Sequence, residues 1–431
     1  GDSLMTTSFE NGINTLKKVI DAPIASYFSS CTRCGICAQA CIFYTETDNP
    51  KYTPIRRVEP MRRVWEQEYT VVGKLKKLIG LSKPVTEQDL QDTVELAFES
   101  CTTCGRCSMM CPVGNDIVYM IRRMREGLTA AGLGPKELRD AAVRTLETGS
   151  VMGFPMKTLE AQVKAAEEET GIKINIDEPN VDYLLLLSSA EVMQFNEIIA
   201  ALAQIFKQAG VTWTLSSTAH EAGNPGMHLG ASEIEAAMIN KIVEAAEELN
   251  IKNVISPECG HAYTAIRWDG PNLVGKAFNF KVRHILEVLD DLRKDGRLKM
   301  ASKESQKLTY HDPCQISRRG GVVDEPRNLI DIVSEDFVEM PDTGKMNWCC
   351  GAGGGVSSNE RADEVRLKVF QRKKDQLDEI KPDAIISACS NCRIHLEDGL
   401  EIGVGQDPRE GGDVGRAQPL LLRALEDQDP G

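Results

Sequence analysis

Cys101-Thr102-Thr103-Cys104-Gly105-Arg106-Cys107-Ser108-Met109-Met110-Cys111-Pro112 decides the reading of this chain, together with its earlier twin Cys31-Thr32-Arg33-Cys34-Gly35-Ile36-Cys37-Ala38-Gln39-Ala40-Cys41. Both runs are spaced C-x2-C-x2-C-x3-C, the pattern of [4Fe–4S] ligands. The second also has the trailing proline, where the first has Ile42. Three thiolates on one tight turn can each reach a corner of a cubic cluster, and Gly35 and Gly105 let the turns close. In this arrangement the fourth cysteine serves the other cluster. The expected sets are Cys31, Cys34, Cys37 and Cys111 for one cubane, and Cys101, Cys104, Cys107 and Cys41 for the other. C-x2-C is also zinc spacing, but two matching runs of four cysteines speak against a pair of zinc sites. Two such clusters, saturated by cysteine, make an electron wire with no iron open to substrate.

Outward from these runs, residues 5–30 read as one helix with Ile13, Leu16, Val19 and Ile20 on a face. A charged helical stretch, punctuated by Pro54, Pro60 and Pro84, joins the two turns. Residues 117–131 read as a further helix. A mostly polar run from Lys164 to Ile176 leads to a boundary at Glu178-Pro179-Asn180. The pattern then changes. Tyr183–Leu187 is an apolar run of buried-strand type, followed by a helix near 193–209, a strand at 211–215, a helix near 231–249 and a strand at Val254-Ile255. A second pass runs strand (308–310), helix (325–334), helix (359–379) and strand (384–386). Strands alternating with helices imply parallel βα units. The repeat implies two lobes joined by a helical segment near 276–293. The expected architecture is an α-helical ferredoxin-like domain (1–180) followed by a two-lobed α/β domain (181–295 and 296–431).

The bulk properties agree. The chain of 431 residues carries 50 basic and 64 acidic side chains, a net charge of −14, which argues against nucleic-acid binding. No run approaches eighteen uncharged apolar residues, and the N-terminus lacks the apolar core and cleavage site of a secretory signal. A cytoplasmic location is expected, with docking on a membrane partner open. Gly1-Asp2-Ser3-Leu4, ahead of Met5, is compatible with a cloning remnant. Of the 14 cysteines, all but Cys259 fall into motif-like groups, which in a reducing compartment points to metal sites.

The last third carries His311-Asp312-Pro313-Cys314, then Trp348-Cys349-Cys350-Gly351-Ala352-Gly353-Gly354-Gly355, then Cys389-Ser390-Asn391-Cys392. These cysteines fall at or after the ends of expected strands, where open α/β units place ligand sites. The pattern C-x34-C-C-G-x37-C-x2-C, with "YHDPC", "DEPR" and "CCGAGGG", resembles the cysteine-rich CCG domain. Two ferredoxin motifs ahead of two such lobes resemble the D-type subunit of heterodisulfide reductase and the DsrK-like subunits of sulfur metabolism. The iron–sulfur subunits of glycolate and glycerol-3-phosphate dehydrogenases are similar too. The resemblance implies that Cys314, Cys349, Cys350, Cys389 and Cys392 hold a noncubane [4Fe–4S] cluster at which a disulfide is cleaved or formed.

The first lobe departs from that pattern. Met227-His228-Leu229-Gly230 stands where Cys-Cys-Gly is expected, Ser256-Pro257-Glu258-Cys259 where Cys-x2-Cys is, and Ser188 or Ser189 near the opening cysteine. No cluster of its own is expected there. Cys259 either faces the cluster from the opposite lobe or is an ordinary buried cysteine. His311 and Asp312 either relay protons or brace the ligand loop. His228 lines the cleft or is an ordinary histidine, and Arg318-Arg319 attracts an anion or is merely solvated. The glycine run 353–355 lacks a P-loop lysine and a dinucleotide spacing.

The expected function is an oxidoreductase subunit that moves electrons through the cubanes to or from the noncubane centre, with a small or protein-borne thiol or disulfide as substrate. Its partner would be a membrane-embedded cytochrome, a quinone-reactive subunit or a flavoprotein. The rival is an electron-transfer subunit linking a flavoprotein dehydrogenase to quinone.

Overall fold

The computed structural model describes residues 8–256, 258–298, 300, 302–403 and 415–418. Residues 1–7, including the start of the first expected helix, and most of those beyond 403 lie outside the described residues.

The chain forms two compact units. Among the described residues, one comprises those up to Asp140 with Pro225–Ser232 and Gly351–Arg372, and the other those of Ala141–Asn224, Glu233–Cys350 and from Lys373 onward. Neither unit is one contiguous stretch. Most of the chain is helical, with small parallel sheets.

In the first unit the expected N-terminal helix is two, Phe9–Val19 and Ala22–Ser30. The break is local. Asp21 accepts a hydrogen bond from the Ile24 amide as an N-cap, and Pro23 sits in the following first turn. Phe9–Val19 lies close against the helix Ile117–Ala130. Side chains at the crossing would collide: a Cβ on Gly127 would stand 2.3 Å from Leu16 Cδ2, and one on Gly12 would stand 2.6 Å from Ala131 Cβ. Leu16, Ile24, Met61, Met124 and Leu128 fill the core.

Each cysteine turn ends in a short helix, Ile36–Gln39 or Arg106–Met109, entered through a left-handed glycine. Gly35 has φ +79° and Gly105 φ +82°. Arg33 (φ +58°) and Thr103 (φ +53°), two residues earlier, are left-handed as well. The two motifs thus repeat each other's backbone, which is why glycine recurs at the same place in both.

The second unit contains two four-stranded parallel sheets. One is ordered β2-β1-β3-β4, from β1 (Tyr183–Leu185), β2 (Trp213–Thr214), β3 (Asn253–Ser256) and β4 (Lys281–His284). The other is ordered β6-β5-β7-β8, from β5 (Glu304–Tyr310), β6 (Ser334–Phe337), β7 (Ala384–Ile386) and β8 (Gly415–Gln418). Order and sense are the same in both. Leu184 pairs with Val254 in one, and Thr309 with Ile385 in the other.

The segment expected to be helical near 276–293 begins as β4. Lys281–His284 alternates exposed and buried, the signature of a strand. The helix Ile285–Lys294 starts only after His284, which caps it together with Glu287. The polar run after 164 is not all linker either. Its first part continues a helix, Met156–Thr170, that buries Leu159, Val163 and Ala166.

Candidate metal centres

All fourteen cysteines are free thiols. In the first unit, Cys31, Cys34, Cys37 and Cys111 line one cavity together with Ile55, Pro112 and Val113. Burial, then the nearby Cys31, Cys34 and Cys111, push the Cys37 thiol up, against a hydrogen bond from the Ile55 backbone. Cys34 is exposed, so this cavity reaches the surface.

The other four cluster elsewhere. Burial, reinforced by the neighbouring Cys104, Cys41 and Cys101, drives the Cys107 thiol well up. Cys41 therefore lies with the 101–107 turn, and Cys111 with the 31–37 turn.

The second set has features that spacing could not show. Arg57 is fully buried, placed by the turn Pro54–Val58. It donates to the carbonyls of Leu96 (2.8 Å) and Ser100 (2.7 Å), with Nη2 3.5 Å from Cys41 Sγ. Burial opposes its charge, but Cys41, Cys101 and Cys107 outweigh that and hold it protonated. Arg125 is a second buried guanidinium, donating to the Cys101 carbonyl at 2.7 Å. Burial brings its pKa down to about 10, with Cys101 acting the other way. The glycine run finds its use here too. A Cβ on Gly354 would stand 2.8 Å from the Thr102 backbone, so glycine lets this loop press on the second cysteine turn.

In the second unit two strand ends and the loop that carries Cys349 and Cys350 bring five buried thiols together. β5 leads into His311–Cys314, and β7 into Cys389 and the helix Ser390–Gly403. Cys314 and Cys349 stand 3.9 Å apart at sulfur, and Cys350 and Cys392 3.4 Å. One ligand atom each from His311, Cys350 and Cys392 falls within 4.8 Å of the others, and all three residues are buried. Hydrogen bonding from Cys392, then backbone amides including Gly260, bring Cys389 down to about 7 despite its burial. Hydrogen bonding with Cys350, then with Cys389, and burial drive Cys392 well up. Cys259 joins the group: burial first, then the Cys389 charge, push it to about 12.

His311 is 1% exposed and neither ring nitrogen has a hydrogen-bond partner among the described residues; burial, with the nearby Lys373 cation, holds it neutral. Asp312, by contrast, is a brace. It takes two bonds from Arg327 and one from the Gly344 amide at 2.7 Å, fixing the loop that leads to Cys349. Arg318 pins the same loop through the carbonyls of Lys345 and Asn347. His228 belongs to the other unit, where its carbonyl accepts from Arg125.

Three groups here carried no signal in the sequence. Lys373, on the helix Asp363–Ile380, is 1% exposed; burial lowers it to about 8, while Cys350 and Cys349 act to raise it. Glu258, next to Cys259, is held neutral by burial and by Glu191. Glu191 accepts from the amides of Ser188 (2.6 Å) and Glu258 (3.0 Å), and burial raises it to about 7. Where the first sheet's counterpart of the opening cysteine would stand, Ser189 Oγ donates to Glu221 (2.6 Å), which also accepts from the Val151 amide.

Glu191 yields a pH prediction. Its folded pKa lies above the unfolded value of 4.5, so the folded state holds the extra proton between about 4.5 and 7. Stability from this group is full below 4.5 and is lost as pH rises through 7. The shift corresponds to about 3 kcal/mol. Glu191→Gln is expected to flatten the fall in stability between pH 5 and 7.5 by that order, measured by anaerobic denaturant unfolding. An unchanged slope would refute it.

Residues 27–115 match the 4Fe-4S dicluster domain family, and residues 308–397 the cysteine-rich CCG domain. The chain is 27% identical to the Hdr-like menaquinol oxidoreductase iron-sulfur subunit of Archaeoglobus profundus, over 79% of this chain and 69% of that one. It is 28% identical to the D-type subunit of the dihydromethanophenazine:CoB–CoM heterodisulfide reductase of Methanosarcina acetivorans, over 86% and 89%. It is 26% identical to the EtfAB:quinone oxidoreductase of Syntrophomonas wolfei, over 92% of this chain and 58% of that one. The resemblance to heterodisulfide reductase-type iron–sulfur subunits thus extends along most of the chain. Among the described residues no helix is long and apolar enough to cross a membrane.

Proposed function

We propose that this chain is the subunit of a redox complex in which electrons are exchanged one at a time with a centre that opens or forms a disulfide. The observation that carries this reading is the buried set of five cysteines, Cys314 beside Cys349, Cys350 and Cys389 beside Cys392, with His311 next to Cys350 and Cys392. The donor sets fit the groups they would hold. Cys31, Cys34, Cys37 and Cys111 would hold one cubane, and Cys41, Cys101, Cys104 and Cys107 the other. Cys314, Cys349, Cys350, Cys389 and Cys392 would hold the noncubane cluster. When bound, the cubanes would supply single-electron transfer, and the noncubane cluster would add an iron open to substrate sulfur. The matching strand orders support reading the second unit as two copies of one lobe, the first without ligands.

The protein's own groups suit that chemistry. Opening a disulfide consumes two electrons and two protons and leaves two thiols. Lys373 places a buried positive charge beside the thiols of Cys349 and Cys350, which favours their ionised form. Arg57 and Arg125 offset negative charge around the second cubane set. Glu191 and Glu258 hold protons within the fold on the Cys259 side. Burial of the five cysteines excludes water from the site.

A second reading, electron transfer between a flavoprotein and quinone, is favoured by the similarity to the EtfAB:quinone oxidoreductase. In either case the protein would be a peripheral subunit meeting a membrane-embedded or flavin-bearing partner. Two measurements discriminate. The anaerobic protein is expected to contain about twelve irons, four for each of three clusters; about eight would remove the third, and about sixteen would show that the first lobe binds one. Reduced protein is expected to reoxidise on adding a disulfide. No reoxidation by any small or protein-borne disulfide, alongside normal electron flow from a flavoprotein to quinone, would leave the second reading standing.

A further inference from the structure

The helix Val71–Leu78 is built inside out. A surface helix ordinarily buries its apolar stripe. Here Val71 is 85% exposed, Val72 61%, Leu75 57% and Leu78 83%, and Ile79 (58%) and Leu81 (70%) follow. At about 100° per residue, Val71, Val72, Leu75, Leu78 and Ile79 fall within one arc about 120° wide. Gly73 lies opposite, buried, where a Cβ would stand 1.7 Å from the Glu66 carbonyl oxygen. The helix therefore seats its glycine on the preceding helix Glu59–Tyr69 and turns its aliphatic side to solvent. Thr70 fixes the start by accepting from the Gly73 amide at 2.9 Å.

Charge flanks the arc. Lys74 and Lys76 border it, Lys77 lies behind, and Lys83 follows in the connecting segment, all exposed in a chain of net charge −14. Lys76 and Lys77 reach back to Glu66 (3.7 Å) and Glu68 (2.8 Å) at the helix's foot.

We infer that residues 71–83 dock directly on an anionic lipid surface, with the aliphatic arc entering the headgroup boundary and the lysines meeting phosphate. This goes beyond the redox reading and does not depend on it. An apolar face bordered by lysine is the pattern of helices that lie in the membrane interface. A protein partner is less well matched. Protein interfaces favour aromatic, methionine and arginine anchors and are poor in lysine, whereas this arc is wholly aliphatic and its cations are all lysine.

The test uses the full-length, cluster-loaded protein with partner-free vesicles of phosphatidylcholine, alone or mixed with phosphatidylglycerol, in a flotation assay. Binding is expected to the mixed vesicles and to weaken with salt. Leu75→Asp/Leu78→Asp is expected to weaken it by at least about tenfold, and Lys74→Glu/Lys76→Glu by about as much on mixed vesicles only. All substituted side chains are exposed, and unchanged cluster absorbance would report an intact fold. Met152→Asp, exposed in the other unit, is expected to bind as the wild type does. Failure of the wild type to bind mixed vesicles at low salt would overturn the inference, as would full binding by Leu75→Asp/Leu78→Asp. So would a wild type that ignores lipid but is captured through this helix by a membrane protein.

Discussion

Cys350→Ser is expected to abolish thiol or disulfide turnover while leaving the spectroscopic signals of both cubanes intact. Cys350 is 1% exposed, its sulfur 3.4 Å from that of Cys392, and it shares the buried group with His311. A serine hydroxyl there is harder to ionise than a thiol and offers iron a poorer donor. The eight cysteines of the cubane sets all lie between residues 31 and 111, so losing Cys350 removes none of their donors. Turnover should fall by at least about a hundredfold, because even outer partners of a metal site are worth ten- to a hundredfold. The informative measurement is electron paramagnetic resonance of oxidised protein titrated with candidate thiols. A thiol-dependent signal in the wild type, missing from Cys350→Ser, is the expected result. Cys389→Ser should behave alike, and Cys259→Ser should do less. Turnover that survives Cys350→Ser would place the chemistry elsewhere.

The cysteine sets were open to sequence reasoning because ligand spacing is a local property. Three thiols within seven residues constrain one turn, and the left-handed Gly35 and Gly105 are the backbone's answer to that constraint. The parallel units could be read from alternating strand and helix patterns, since buried strands such as Tyr183–Leu185 are apolar throughout. What escaped were features set by tertiary packing. β4 carries Lys281 and Arg283 and so does not look like a strand until its pairing with β3 is seen. Arg57 stands beside Arg56 in the sequence, yet only Arg57 is buried. Lys373 and Lys374 pose the same problem. Nothing local says which of two adjacent cations will face thiols, because burial depends on elements far away along the chain.

Arg125 shows how much such a residue can hold, and Arg125→Ala is expected to cost about 3–5 kcal/mol of unfolding free energy. The side chain is fully buried on the helix Ile117–Ala130, its guanidinium over the Phe98 ring at 4.8 Å. Nε donates to Ala97 O at 2.9 Å and Nη2 to Cys101 O at 2.7 Å, while Nη1 serves His228 O at 2.7 Å and Gly354 O at 2.8 Å. One cation thereby ties together four stretches of the first unit, including the second cysteine turn and the glycine loop. Each carbonyl left without its donor costs about 1–3 kcal/mol, and the excised side chain leaves a void besides. Arg125→Met, which keeps most of the bulk, should recover only the packing part. Arg125→Lys should also fall short, since a single ammonium cannot span the planar fork. Lys136→Ala, an exposed control, should unfold as the wild type does. Because the Cys101 carbonyl is among those released, the iron content of Arg125→Ala should drop toward that of Cys101→Ser under mild denaturant. Denaturant unfolding and iron analysis on the same anaerobic samples measure both effects. A loss under about 1 kcal/mol with full iron retained would mean that water replaces the guanidinium, and that the second cysteine turn keeps its shape without it.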